Sequence, residues 1–239
     1  MADLLQLAGV HTHIGQYHIL QGVDFSASKN ELTMLLGRNG AGKTTCLRTI
    51  MGLWRASAGT IRYEGKEIQT LKTPDLARLG IAYVPENMGI FAGLTVRENM
   101  LLAARGGDMD EKRLEWIFRL FPAMKKFWGA LAGNLSGGQK QMLAVSRAIV
   151  EPRRLLLVDE PSKGLAPAII GNMIEAFREL KRDTTLVVVE QNFHFARSLG
   201  DRVAVMDSGR IVHTGAMADL AADDALQQRL LGLSLAEHQ

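Results

Sequence analysis

The chain has 239 residues, 47% of them hydrophobic and 6% aromatic, enough for one large domain or for a domain with an inserted lobe. One cysteine, Cys46, excludes an internal disulfide and fits a small buried hydrophobe in a reducing compartment. The net charge of +3 comes from scattered Lys and Arg, which argues against a nucleic-acid partner, and no stretch reaches the roughly 18–20 apolar residues of a bilayer span.

The opening residues, MADLLQLAGVHTH, lack a basic segment followed by a long apolar one, so no secretory signal is expected. Up to about residue 31 the pattern reads as antiparallel strands, with an apolar run at Ile19–Phe25. His11 and His13 share one face of a strand expected to be an exposed edge, and the six histidines show no metal-binding spacing. The next run, Leu32–Leu36, leads into Gly37-Arg38-Asn39-Gly40-Ala41-Gly42-Lys43-Thr44-Thr45. This is G-x-x-x-x-G-K-[ST] in a strand–loop–helix setting, a cradle for the phosphates of ATP. The glycines let the backbone wrap the anion, and N–H groups at the helix start point at it. Lys43 would neutralise the β and γ phosphates, and the Thr44 hydroxyl would complete the shell of a Mg²⁺ ion.

Residues 59–68, with turn glycines Gly59 and Gly65, also read as antiparallel strands, and Gly80–Val84 reads as a buried one. Between residues 95 and 150 the strand signal disappears. Thr95 and Glu98 have the spacing of a capping box, and Asp110 opens a segment with Leu114, Ile117 and Phe121 at helical spacing. Pro122 is expected to end or kink that helix. The economical reading is a single domain over 1–239 with a helical subdomain inserted at about 88–150. Its last helix has apolar positions Met142, Val145 and Ile149, and Ser136, Gly137, Gly138 and Gln139 stand at its start as a second anion site. Two phosphate-binding half-sites in one chain suggest head-to-tail pairing of two chains.

Leu155–Val158 is a further buried strand, with Asp159 at its carboxyl end in reach of the metal held by Thr44. Glu160 follows, placed to orient or deprotonate an attacking water. Leu186–Val189 runs without a turn residue into Glu190, Gln191 and Asn192, and Arg202–Met206 is the last strand expected. From about Met217 the chain is Ala/Leu-rich and helical in pattern, with a polar, frayed end at Glu237–Gln239. Alternating strands and helices give an α/β fold with a mostly parallel sheet and a mixed margin.

Together these motifs resemble an ABC-type ATPase over nearly the whole length. The phrases GRNGAGKTT, YVPENMGIF, LTVRENM, LSGGQKQ, DEPSKGLAP and VVVEQN are similar to those of the ATP-binding subunit of branched-chain amino acid importers. The resemblance implies a P-loop NTPase fold with a mixed sheet core, an antiparallel β margin and the helical subdomain. It implies that Leu135–Gln139 acts in trans on a partner's nucleotide, and that Ser162–Ala166 forms the loop between two nucleotide sites. The Glu86 segment would meet the membrane subunit, and Glu86 joins Thr44 and Asp159 as a candidate metal ligand. Lys43, Glu160 and Gln191 would carry hydrolysis. Three residues depart from the commoner superfamily pattern: Glu86 replaces Gln, Ala166 replaces Asp and Gln191 replaces the switch His. Ile14 stands where the family places an adenine-stacking aromatic, which leaves Tyr17 or His13 nearby, with Tyr17 chosen.

The activity implied is Mg²⁺-dependent ATP hydrolysis by a homo- or heterodimer, peripheral on the cytoplasmic face of the inner membrane. Permease subunits would be direct partners and a periplasmic solute-binding protein an indirect one. The open alternatives are a urea or amide importer, a lipid exporter, and a soluble ABC ATPase acting on nucleic acid.

Overall fold

The computed structural model describes residues 3–232, so the expected frayed end at 237–239 lies outside the described residues. The chain opens with two long strands, β1 (Asp3–Ile14) and β2 (Tyr17–Ser28), followed by β3 (Leu32–Leu36) and α1 (Lys43–Ile50). Strands β4 (Ala56–Tyr63) and β5 (Lys66–Glu67), α2 (Thr73–Arg78) and β6 (Ile81–Val84) come next. Helices alone fill the following stretch: α3 (Val96–Leu101), α4 (Glu111–Leu120), α5 (Pro122–Lys126) and α6 (Gly137–Ala148). Strands return with β7 (Leu155–Asp159), then α7 (Pro167–Leu180), β8 (Thr185–Val189), α8 (Phe193–Leu199), β9 (Arg202–Asp207) and β10 (Arg210–Ala216). Two short helices, α9 (Met217–Ala222) and α10 (Asp224–Leu231), complete the described chain.

The main sheet has six strands in the order β10-β9-β3-β8-β7-β6. Every residue of β3, β7 and β8 is buried, including Thr33, Asp159 and Thr185, because both faces of these mainly apolar parallel strands are covered. The register sets their carboxyl ends side by side, with Leu35 opposite Val189 and Val189 opposite Asp159. Three motif-bearing loops therefore emerge at one place.

Successive residues feed opposite cores. Leu32, Met34 and Leu36 pack with Met100, Ile117, Phe121 and Leu143, so the helical stretch shares a core with one face of the sheet. Leu35 packs with Leu47, Ile50, Leu5 and Phe25 on the other face. Cys46 is buried there, and burial pushes its thiol up to about 12.

Three expectations change. The antiparallel strands are not a margin of the main sheet but a sheet of their own, ordered β2-β1-β4-β5. Within it β1 is paired on both sides, so His11 and His13 lie on an inner strand rather than an edge, where their rings stack against His18. The antiparallel β10 was not foreseen. Its signal is the tight turn at Ser208 and Gly209, both at positive φ, where a Cβ on Gly209 would lie 2.1 Å from the Ile19 carbonyl oxygen. That close approach lets Gly209 O accept from Gln21 N–H at 2.9 Å and joins the edges of the two sheets.

In the helical stretch both bonds of the Thr95–Glu98 capping box are present, and Asp110 caps α4 by accepting from Arg113 N–H at 2.7 Å. Helix α4 stops at Leu120, and Pro122 opens α5 as its first residue, where its missing N–H costs nothing.

Candidate active site: a phosphate cradle where three strand ends meet

The loop after β3 is built on backbone that only glycine accepts readily. Gly37 has φ 146°, and a Cβ there would sit 2.2 Å from the Met206 carbonyl oxygen of β9. Gly42, also left-handed, is the N-cap of α1. Lys43 then turns back into its own loop, donating to Gly37 O at 2.7 Å and Arg38 O at 3.1 Å. Burial lowers its pKa, and the surrounding carboxylates Glu160, Asp159, Glu190 and Glu86 oppose that shift. The ammonium is thus held by two carbonyl oxygens of its own loop, in bonds that a phosphate oxygen can take over.

Asp159 lies at the end of β7, fully buried. Its Oδ1 accepts from Thr44 Oγ1 at 3.0 Å and its Oδ2 from Tyr83 Oη at 3.1 Å. Burial raises its pKa, while these two hydrogen bonds act the other way. Tyr83 was quoted in a motif without a role, and burial pushes its phenol up to about 12, so it remains a donor. Among the described residues no group of three His, Cys, Asp or Glu is arranged to hold a metal. A Mg²⁺ bound with phosphate needs few protein ligands, and the oxygen pair Thr44–Asp159 is a donor set of the right hardness.

Glu160 adopts φ 49°, a left-handed conformation that costs energy for a residue with a side chain. Its N–H donates to Val189 O at 2.9 Å and its carbonyl accepts from Lys163 N–H at 3.2 Å, which fixes the turn. Gln191 lies at the end of β8, and its Nε2 donates both to Glu160 Oε1 and, at 2.6 Å, to Asn39 Oδ1 of the cradle. One amide therefore connects three motifs that lie 31 and 152 residues apart. Asn192 caps α8, accepting from Phe195 N–H at 3.0 Å.

Lys163 was read only as part of the Ser162–Ala166 loop, with no role for its side chain. Its Nζ lies 2.5 Å from Glu86 Oε1 and 3.5 Å from Glu160 Oε2. Glu86, Glu160 and Lys163 line a cavity of about 340 Å³ together with Asn39, Gly40, Gly42, Lys43, Thr44 and Thr45. Glu86 thus stands at the cavity with its carboxylate engaged by Lys163. Tyr17 opens β2, 65% exposed, and Ile19 rather than Tyr17 lines the cavity. The second anion site is not on its walls either. Ser136 Oγ accepts from Gln139 N–H at 3.4 Å, and Gln139 Oε1 accepts from Ser136 N–H at 2.9 Å, so both side chains cap their own helix. A glutamine three residues after a serine could have announced this capping box.

A six-stranded α/β sheet with a Lys-bearing glycine loop, and with Asp159, Glu160 and Gln191 at neighbouring strand ends, defines a P-loop ATPase. The family model described as ABC transporter matches residues 20–163. The chain belongs to the ABC transporter family. It is 39% identical to the high-affinity branched-chain amino acid transport ATP-binding protein BraG of Pseudomonas aeruginosa, over 96% of this chain and 100% of that one. It is 33% identical to the probable branched-chain amino acid transport ATP-binding protein LivF of Archaeoglobus fulgidus, over 96% and 99%. Among solved structures, an ATP-binding subunit of an ABC transporter superposes with a TM-score of 0.81 at 28% identity, covering 98% of this chain and 97% of that one. An ATP-binding cassette of an ABC transporter in its ADP conformation gives 0.81 at 24%, covering 98% and 100%.

Proposed function

We propose that this chain is the ATP-hydrolysing subunit of an importer for branched-chain or other hydrophobic amino acids. The observation that carries the hydrolytic part is the Gln191 amide bonded at once to Glu160 and to Asn39 of the cradle. A water held by Glu160 would then stand between the phosphate cradle and a donor aimed at developing charge. Lys43 and the cradle N–H groups bind the β and γ phosphates, and Gln191 positions Glu160 toward the γ phosphate. Thr44 and Asp159 would hold Mg²⁺, with Glu86 a further ligand if it leaves Lys163, and the ion would supply charge neutralisation at the β and γ oxygens.

Partner binding follows from two surfaces. The start of α6, with Ser136 to Gln139, does not line the chain's own cradle cavity and would suit the γ phosphate of a second ATPase chain. A cleft of about 610 Å³ beside the Glu86 segment, lined by Leu53, Trp54, Pro85, Met88 and Arg147, suits a helix of a permease subunit. Among the described residues no helix is long and apolar enough to cross a membrane, in keeping with a peripheral subunit on the cytoplasmic face. The solute class rests on similarity to the branched-chain amino acid transport ATP-binding proteins of Pseudomonas aeruginosa and Archaeoglobus fulgidus. A periplasmic solute-binding protein would deliver the solute to the permease.

Glu160→Gln is the direct test: ATP binding is retained and turnover stops. Hydrolysis at the wild-type rate removes Glu160 from the assigned role. Co-purification with an export-type membrane protein would overturn the import assignment.

A further inference from the structure

We infer that Glu190 is a positioning residue of the hydrolytic site, one buried carboxylate that fixes the turn carrying Glu160 and the backbone of Gln191 together. The inference rests on the ATPase reading above. Glu190 is 2% exposed at the end of β8, deeper than the residues it serves. Its Oε1 accepts from Ser162 N–H at 2.8 Å. Its Oε2 accepts from Gln191 N–H at 3.1 Å and from Asn192 N–H at 3.2 Å. Its own N–H donates to Leu35 O at 3.3 Å, next to the strand end from which the cradle starts. The side chain thereby pins the end of β8 to the turn after β7, while the backbone of the same residue is tied to the end of β3.

A carboxylate this deep is costly to keep unless hydrogen bonds satisfy it. Among the ion pairs of the described residues none includes Glu190, and with the Lys43 charge only in its surroundings the three backbone N–H groups satisfy its oxygens directly. A hydrophobe would fill the same space but leave those three N–H groups without their acceptor. What the carboxylate adds is control of backbone conformation on both sides of the Glu160–Gln191 contact. Glu160 sits in a left-handed conformation that persists only where its surroundings over-determine it. The bond from Glu160 N–H to Val189 O and the bond from Lys163 N–H to Glu160 O hold the first part of that turn, and Glu190 holds Ser162 two residues on. Gln191 has its N–H tied to the same carboxylate while its side chain reaches Glu160 and Asn39. Glu190 makes no side-chain bond to the cradle residues 37–45, so its loss should spare nucleotide binding and harm turnover.

Glu190→Gln in the full-length chain tests this. The replacement keeps the shape but turns one acceptor into an NH₂ facing backbone donors. The expected result is a fall in kcat of about 10- to 100-fold, as for loss of a preorganised contact. The Kd for a fluorescent ATP analogue should stay within about twofold. In the Gln191→Ala background the same change should cost much less, because both act on one contact. Turnover within about twofold of wild type, a parallel loss of binding and turnover, or full additivity with Gln191→Ala would each overturn the inference. If Glu190→Gln does not yield folded protein, Glu190→Asp, which keeps the charge but shortens the reach, is held to the same split between kcat and Kd. Wild-type and Glu160→Gln proteins run alongside separate the two readings. Absence of wild-type ATPase overturns both. Wild-type turnover abolished by Glu160→Gln but untouched by Glu190→Gln overturns only the Glu190 inference.

Discussion

Gln191 is the side chain whose removal discriminates most sharply between a working site and a merely polar strand end. Truncation to Ala deletes one amide nitrogen that donates to the Glu160 carboxylate and to Asn39 Oδ1. A hydrogen bond to a charged group is worth about 1.5–3 kcal/mol, and loss of a preorganised donor at an active site costs on the order of 10²-fold in rate, about 2.7 kcal/mol of barrier. Gln191 is exposed, so the fold should hardly notice, with a change in stability of about 0.5 kcal/mol or less. Steady-state ATPase and thermal melts on Gln191→Ala read both quantities. The pH dependence adds a second axis, because an amide does not titrate whereas an imidazole does so near neutrality. Wild type should show no limb near pH 6–7 assignable to residue 191, and Gln191→His should acquire one. Near-wild-type turnover in Gln191→Ala, or a His variant whose profile matches the parent from about pH 5.5 to 8, refutes the reasoning.

Two further predictions concern the scaffold of the site. Gly37→Ala must place a Cβ 2.2 Å from the Met206 carbonyl oxygen at a positive φ. Backbone strain of about 1–2 kcal/mol and overpacking of about 1–3 kcal/mol together predict a melting temperature lower by on the order of 10 °C, measured by calorimetry. The second is a linkage effect. Burial raises the pKa of Asp159 above its unfolded value, so its contribution to stability is fully present below the unfolded pKa and is lost as pH rises through the folded one. Any stability gain of Asp159→Asn over wild type should therefore shrink as pH is lowered from about 7 toward 4, and a gain that grows on acidification contradicts the assigned shift.

Local chemistry alone determined much of this protein. An apolar strand, then glycines, then Lys43 and Thr44 can hardly be anything but a phosphate cradle, because backbone freedom and helix-end N–H groups are properties of adjacent residues. The mainly apolar runs at Leu32–Leu36, Leu155–Val158 and Leu186–Val189 likewise announced strands buried on both faces, being too short for a buried helix and bounded by turn residues or polar groups. Only tertiary structure decided what lies next to what. Strand order placed Val189 opposite both Leu35 and Asp159, and from that register follow the reach of Gln191 to Asn39 and the bond from Ser162 to Glu190. The Glu86 that Lys163 pairs with is 77 residues away, beyond the reach of any local spacing. The inner position of β1 was equally out of reach, for pairing partners are chosen by the whole sheet and not by the strand. Spacing along the chain specifies groups that share a loop or a helix turn. Groups that meet across a sheet are specified by its register, which is settled by burial of every strand at once.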